Sequence, residues 1–192
     1  METKINSYLQ ELHKTMQALD RKQIASLVQA LLDVHQRGGT AYIFGNGGSG
    51  ATASHFCGDL LKGVSYGLDK RFKAVCLNDN SPALLAIAND ITYADIFVEQ
   101  LKNFLHQDDL VIGISGSGNS ENIIRAISYA KSKGVPTVGL CGFDGGRLKQ
   151  IADTHVHVPI KDMEVSEDLH LCVLHCAKMT LMDQLKHRYT FS

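Results

Sequence analysis

Ala41-Tyr-Ile-Phe44 is a short apolar run that stops at Gly45-Asn-Gly-Gly-Ser-Gly50. This stretch constrains the fold more than any other. An apolar strand leading through a glycine-rich turn into a helix is what a parallel sheet needs, because parallel strands are joined by crossovers. The pattern recurs along the chain. Leu110–Ile114 runs into Ser115-Gly-Ser-Gly-Asn-Ser120, and Val135–Leu140 into Cys141-Gly-Phe-Asp-Gly-Gly146. Further strands are expected at Phe72–Leu77 and Thr154–Val158. Helices are expected at about 51–62, from Ser81-Pro82 through Ile87, over 93–105, over 121–133, in a short piece ending at Ile151, and over 166–187. Asn89-Asp90 reads as a helix break. Mostly apolar strands that alternate with helices belong to an α/β fold whose parallel sheet is covered on both faces. Such sheets bind ligands at the carboxyl ends of their strands, where both Ser/Gly loops fall.

Two helices precede the sheet. Ile5, Leu9, Leu12 and Met16 form one apolar stripe over residues 4–17; Ile24, Leu27, Val28, Leu31 and Leu32 form another over 21–37. Asp20 is a natural N-cap and Gly38-Gly39 a natural stop. The pair, residues 1–38, can cover the sheet or a partner subunit. A chain of 192 residues suits one domain, 1–192. Its net charge of -1 offers no basic field for nucleic acid. No apolar run reaches the ~18 residues that suggest a membrane span. Met1–Ser7 is polar, unlike a signal peptide. Five cysteines without C-x-x-C spacing read as reduced thiols of a cytoplasmic protein.

The first loop matches G-x-G-x-x-G, a weak sign by itself of dinucleotide binding. That fingerprint wants an acidic residue ~20 positions on, at the end of the second strand. Asp69 precedes that strand and Asp79 lies too far along. No Gly-Lys-Ser/Thr follows, which argues against a Walker-type loop. In the second loop Ser115, Ser117 and Ser120 place three hydroxyls before a helix start. Hydroxyls and helix-start N–H groups together make a compact, uncharged phosphate cradle. A serine-rich turn with a single N-cap is the plainer alternative. His55 and Asp59, at i and i+4, share a helix face and suit zinc. Taken alone, they read more simply as a hydrogen-bonded pair at a subunit contact.

Taken together, Gly45-Asn-Gly-Gly-Ser49, His55-Phe-x-x-Asp59, Ala88-Asn-Asp90, Ile114-Ser-Gly-Ser-Gly-Asn-Ser120 and Gly142-x-Asp-Gly-Gly146 resemble the sugar isomerase (SIS) domain family. Within it the chain is most similar to the sedoheptulose 7-phosphate isomerases, also called phosphoheptose isomerases. The resemblance covers nearly the whole chain. It implies a three-layer, flavodoxin-like sandwich with a five-stranded parallel sheet. It also implies a homotetramer with active sites between subunits, one zinc per subunit, and conversion of sedoheptulose 7-phosphate to the heptose 7-phosphate used in bacterial surface polysaccharides. The metal set it implies is His55, Asp59, Glu167 and His175, with Asp59 and His175 as the acid/base pair. Asn46, Gly47, Ser49, Asn89, Asp90, Ser115, Gly116, Ser117, Ser120, Glu164 and Glu167 would bind the substrate.

The chain departs from the family at several of these positions. Asp59 stands where the family has glutamate, Glu167 where it has glutamine, and Glu164 where it has aspartate. Lys62-Gly63-Val-Ser-Tyr66 replaces a segment that carries an arginine. Helix geometry separates Glu167 from His175 by about 80° and roughly 12 Å, so Asp168 lines up better and is the second choice. Cys172 and Cys176 share a stripe with Leu169, Val173 and Met179 and read as core; His170 reads as a packing residue. The competing reading is a non-catalytic SIS protein, a sugar-phosphate sensor or a partner of the replication initiator. His175, which such relatives lack, favours the enzyme.

Overall fold

The computed structural model describes residues 1–185. Two helices, α1 (Glu2–Gln17) and α2 (Arg21–Arg37), lead into β1 (Thr40–Gly45) and α3 (Gly47–Gly58). Then follow β2 (Lys73–Cys76), α4 (Ser81–Asp90), α5 (Val98–Phe104), β3 (Leu110–Ser115) and α6 (Glu121–Ser132). The chain continues through β4 (Thr137–Cys141), α7 (Gly146–Ile151), β5 (Thr154–His157) and α8 (Met163–Gln184). All five strands are parallel, in the order β2-β1-β3-β4-β5. This is the flavodoxin-like order, whose topological switch lies between β1 and β3. The two Ser/Gly loops leave those two strands.

Alternation along the strands builds two cores. On β1, Ala41 and Ile43 face one side and pack with Leu27, Leu31, Phe56 and Leu174 of α2, α3 and α8. Tyr42 and Phe44 face the other, with Leu101, Ile123 and Ile127 of α5 and α6. Phe44 stacks on Phe97 at 4.8 Å between centroids. Asp20 caps α2 by accepting from the Lys22 N–H at 2.8 Å, and Gly38 ends it in the left-handed region at φ 78°.

Five local expectations need correction. First, the glycine-rich stretch does not remain a loop to residue 50: α3 begins at Gly47. Second, from Asp59 to Val64 the same helix continues as a π-helix, a widened turn that the 51–62 expectation did not contain. Third, Asn89 and Asp90 do not break a helix but form the last residues of α4. Fourth, the expected helix over 93–105 divides into a 3-10 turn at Tyr93–Asp95 and α5. Fifth, α8 starts at Met163, three residues early, because the Asp162 carboxylate accepts from the Val165 N–H at 2.9 Å. Its expected end at 187 lies outside the described residues.

The α1 stripe is also rotated from expectation. Tyr8, Leu12 and Thr15 turn toward the body, while Ile5, Leu9 and Met16 remain exposed. Tyr8 donates to the Asp168 carboxylate at 2.7 Å. That acceptor and its negative charge push the Tyr8 phenol up to about 12.

Candidate active site

At the end of β3, the serine loop folds on itself. The Ser115 and Ser120 hydroxyl oxygens lie 3.2 Å apart, and Ser115 Oγ accepts from the Gly118 N–H at 3.1 Å. Ser117 Oγ accepts from the Asn119 N–H at 3.2 Å. Ser120 is the N-cap of α6, yet its side chain makes no capping bond. Its hydroxyl lies against that of Ser115 instead, and of the first-turn N–H groups that of Ile123 is taken by Asn122 Oδ1 at 2.9 Å. A cavity of about 410 Å³ opens beside this loop, lined by Ser117, Asn119, Phe143, Asp144 and Lys161. Lys161 and Asp144 bring one cation and one anion to the neighbourhood of the cradle.

The first loop is tied to the second by a reciprocal amide pair. Asn46 Nδ2 donates to Asn122 Oδ1 at 3.0 Å, and Asn122 Nδ2 donates back to Asn46 Oδ1 at 2.9 Å. The Tyr93 hydroxyl adds a third bond to Asn46 Oδ1 at 3.0 Å. Asn78 clasps Gly45 from the other side, accepting from its N–H at 3.2 Å and donating to its carbonyl at 2.8 Å. Ser49 is buried where α3 starts, directly against Gly45. Asn122, Tyr93 and Asn78 escaped the sequence reading. Short polar residues one or two positions past a strand or a cap are a usable signal for such roles.

The first turn of α8 lies over both loops. A Cβ on Gly48 would come within 2.3 Å of the Glu167 carboxylate, and one on Gly116 within 2.3 Å of the Met163 sulfur. These two glycines therefore let α8 settle onto the strand ends. Glu167 is placed above the N-terminal turn of α3, where a carboxylate is favoured by the exposed N–H groups. Glu164 sits in the first turn of α8 and is exposed. Asn89 and Asp90 are exposed at the end of α4 and bonded to each other at 2.7 Å.

His55 on α3 and His175 on α8 converge with Asp59. Their Nε2 atoms are 2.9 Å apart, and each lies 3.5 Å from Asp59 Oδ2. The imidazoles are about half exposed, at 52% and 47%, whereas the Asp59 side chain is 12% exposed. Asp59 Oδ2 is buried and has no hydrogen-bond partner. A buried carboxylate oxygen without a partner, facing two imidazole nitrogens, is an arrangement that a cation completes. Neighbouring ligands on a tetrahedral zinc with bonds of about 2.0–2.1 Å are separated by about 3.3 Å, close to the spacings here. The three side chains fit a metal of the zinc type, with a fourth position left for another ligand.

Glu167 does not join this group; its carboxylate is the one against Gly48. Asp168, the second choice, is held by Tyr8. Cys172 packs half-buried against the Val165–Leu169 cluster. Cys176 and Met179 are exposed rather than core, whereas Leu169 and Val173 of the same expected stripe are buried. Asp59 Oδ1 binds the Lys178 ammonium at 2.5 Å, a partner the sequence reading did not name.

Comparison with known proteins bears on the fold and the family. Residues 6–142 match the model of the SIS domain. The chain is 34% identical over 170 residues to a phosphoheptose isomerase from Helicobacter pylori strain P12, covering 88% of this chain and 87% of that one. Among solved structures, a phosphoheptose isomerase from Francisella tularensis superposes with a TM-score of 0.84 at 29% identity, covering 95% and 97% of the two chains. One from Neisseria gonorrhoeae gives 0.88 at 24% identity, covering 95% and 98%, which speaks for the fold. The chain belongs to the SIS domain family.

Proposed function

We propose that this protein is an aldose–ketose isomerase of sugar phosphates that converts sedoheptulose 7-phosphate to D-glycero-D-manno-heptose 7-phosphate. The observation that carries the proposal is the partnerless Asp59 Oδ2 facing His55 and His175. It stands in a chain 34% identical to a phosphoheptose isomerase. Isomerisation moves a proton between adjacent carbons through an enediol, so the site needs one group to take the proton and one to manage the oxygens. Asp59 and His175 are the pair assigned to that work. A zinc ion held by His55, Asp59 and His175 would polarise the sugar oxygens. Glu167, set on the same helix as His175, is assigned to the sugar hydroxyls and to the metal when the first turn of α8 adjusts.

Ser115, Ser117 and Ser120, with the start of α6, hold the phosphate and so fix the far end of the sugar. Asn46, Gly47 and Ser49 of the first loop and Gly116 of the second are assigned to the substrate as well. Asn89, Asp90 and Glu164 are assigned to the remaining hydroxyls. The proposal includes a cytoplasmic homotetramer. No helix among the described residues is long and apolar enough to cross a membrane. Exposed Ile5, Leu9 and Met16 on α1 and Met179 on α8 give apolar surface for a subunit contact.

The test is turnover. Purified protein supplied with zinc converts sedoheptulose 7-phosphate to an aldoheptose phosphate, and chelation lowers the rate. No turnover with or without zinc, from protein that retains no metal, would exclude this function and leave the sensor reading. Light scattering that gives a monomer at micromolar concentration would exclude the tetramer.

A further inference from the structure

Lys178 lies one helical turn beyond His175 on α8. Its ammonium reaches across to α3 and binds Asp59 Oδ1 at 2.5 Å, with its side chain 24% exposed. The path has been kept open. A Cβ on Gly63 would sit 2.8 Å from Lys178 Cε and 3.2 Å from its Nζ. Gly63 belongs to the π-helical segment that opens at Asp59, where the Ser65 N–H bonds to the Leu60 carbonyl five residues back. Such widened turns occur often at functional sites. The two oxygens of Asp59 thus have different surroundings: Oδ1 is bound by the ammonium, while Oδ2 faces the two histidines without a hydrogen bond.

The geometry points to Lys178 as a positioning residue for the metal cluster: its ammonium fixes the Asp59 carboxylate so that Oδ2 faces His55 and His175, and Gly63 leaves it the room. This inference rests on the metal reading proposed above. Two effects oppose each other. A hydrogen-bonded partner of a ligating carboxylate is typically worth 10–100-fold in metal affinity. A positive charge beside the ion acts the other way. Orientation outweighs repulsion here because a misdirected Oδ2 loses a ligand outright, whereas the ammonium, sharing the single charge of Asp59, only weakens that ligand. Without it, a mostly buried Oδ1 would turn the carboxylate in search of another donor.

Zinc affinity of the full chain, measured by competition with a chromophoric chelator, separates the two effects without reference to turnover. Lys178→Met keeps the length of the side chain and removes the donor; zinc binding should weaken about 10-fold or more. Lys178→Arg retains a donor and a charge and should stay within about threefold of the unmodified protein. Gly63→Ala pushes the ammonium off its path and should weaken zinc binding in the same direction as Lys178→Met. A folded Lys178→Met protein that binds zinc as tightly as the unmodified chain, or more tightly, overturns the inference and leaves the metal site standing. If Lys178→Met does not fold, unchanged affinity in Gly63→Ala overturns it equally. Unmodified protein that binds no zinc overturns the metal reading itself, and this inference with it.

Discussion

The serine loop after β3 closes within five residues, from Ser115 to Ser120, whereas His55 and His175 meet across 120. The loop is made of backbone and short hydroxyl side chains, with Ser115 buried at the end of a strand whose every residue is buried. The cluster is made of two half-exposed imidazoles and one mostly buried carboxylate, carried by different helices. A local device of this kind needs only a strand end, two glycines and a helix start. The cluster needs α3 and α8 to pack at one spacing. The proposed phosphate binding and the proposed chemistry are therefore built with different tolerances, and substitutions should separate them.

The largest expected effect comes from the cluster. His175→Ala removes a proposed proton carrier, and kcat should fall about a thousandfold with KM changed little, read in steady-state kinetics on sedoheptulose 7-phosphate. An unchanged kcat would remove His175 from catalysis and break the comparison on that side. Next, Ser115→Ala combined with Ser120→Ala deletes two donors to a charged phosphate. KM should rise roughly 10–100-fold while kcat falls much less. A loss confined to kcat would mean that the loop does not hold the phosphate.

The Asn46–Asn122 pair joins the first loop to the second. Asn122→Ala leaves the Asn46 amide with the Tyr93 hydroxyl alone from this set. A rise of about fivefold in KM is expected from the loss of two neutral hydrogen bonds. No change in KM or kcat would show that the two loops act independently.

The smallest effect concerns the seating of α8. His170 is 1% exposed, and neither ring nitrogen has a hydrogen-bond partner. Burial holds its pKa at about 4, with the nearby His157 acting in the same direction and the Cys141 backbone, outweighed, in the other. The unfolded chain takes up a proton on this residue near pH 6.5, and the folded chain does not until about pH 4. Stability from this group is therefore present above pH 6.5 and is lost as the pH falls toward 4. The unmodified protein should lose about 1 kcal/mol between pH 7 and pH 5.5 from His170. His170→Leu should show a flatter profile in urea unfolding over the same interval. Equal slopes would mean that α8 is not anchored through a neutral imidazole.

Much of the fold was legible along the chain. The five strands were placed within a few residues because buried strands read as apolar runs ended by glycine. Asp20 and Gly38 ended α2 as their chemistry predicts. The start of α3 was not legible. Gly47, Gly48 and Gly50 are poor helix formers, and the close approach of Ser49 to Gly45 and of Gly50 to Asn78 is a tertiary feature that local propensity does not contain. Of the expected α1 stripe only Leu12 packs inward; the rest of that face runs through Tyr8 and Thr15, which are not the most apolar residues. In the site, His55 and Asp59 could be paired from their spacing alone. Glu167 was carried to the metal set by resemblance, and the structure instead puts its carboxylate over Gly48. Asn122 and Lys178 are ordinary helix residues until the partner elements arrive.

The chain by itself determined the alternation of strand, loop and helix, and with it the place where two Ser/Gly loops must meet. Hydrophobic periodicity and glycine conformational freedom are local properties, so they can be read in order. Only the tertiary structure decided that His175 would close on His55 and Asp59, and that Asp59 would keep one oxygen for them and give the other to Lys178. Those relations depend on the spacing and rotation of two packed helices, and packing is set by all the side chains between them at once.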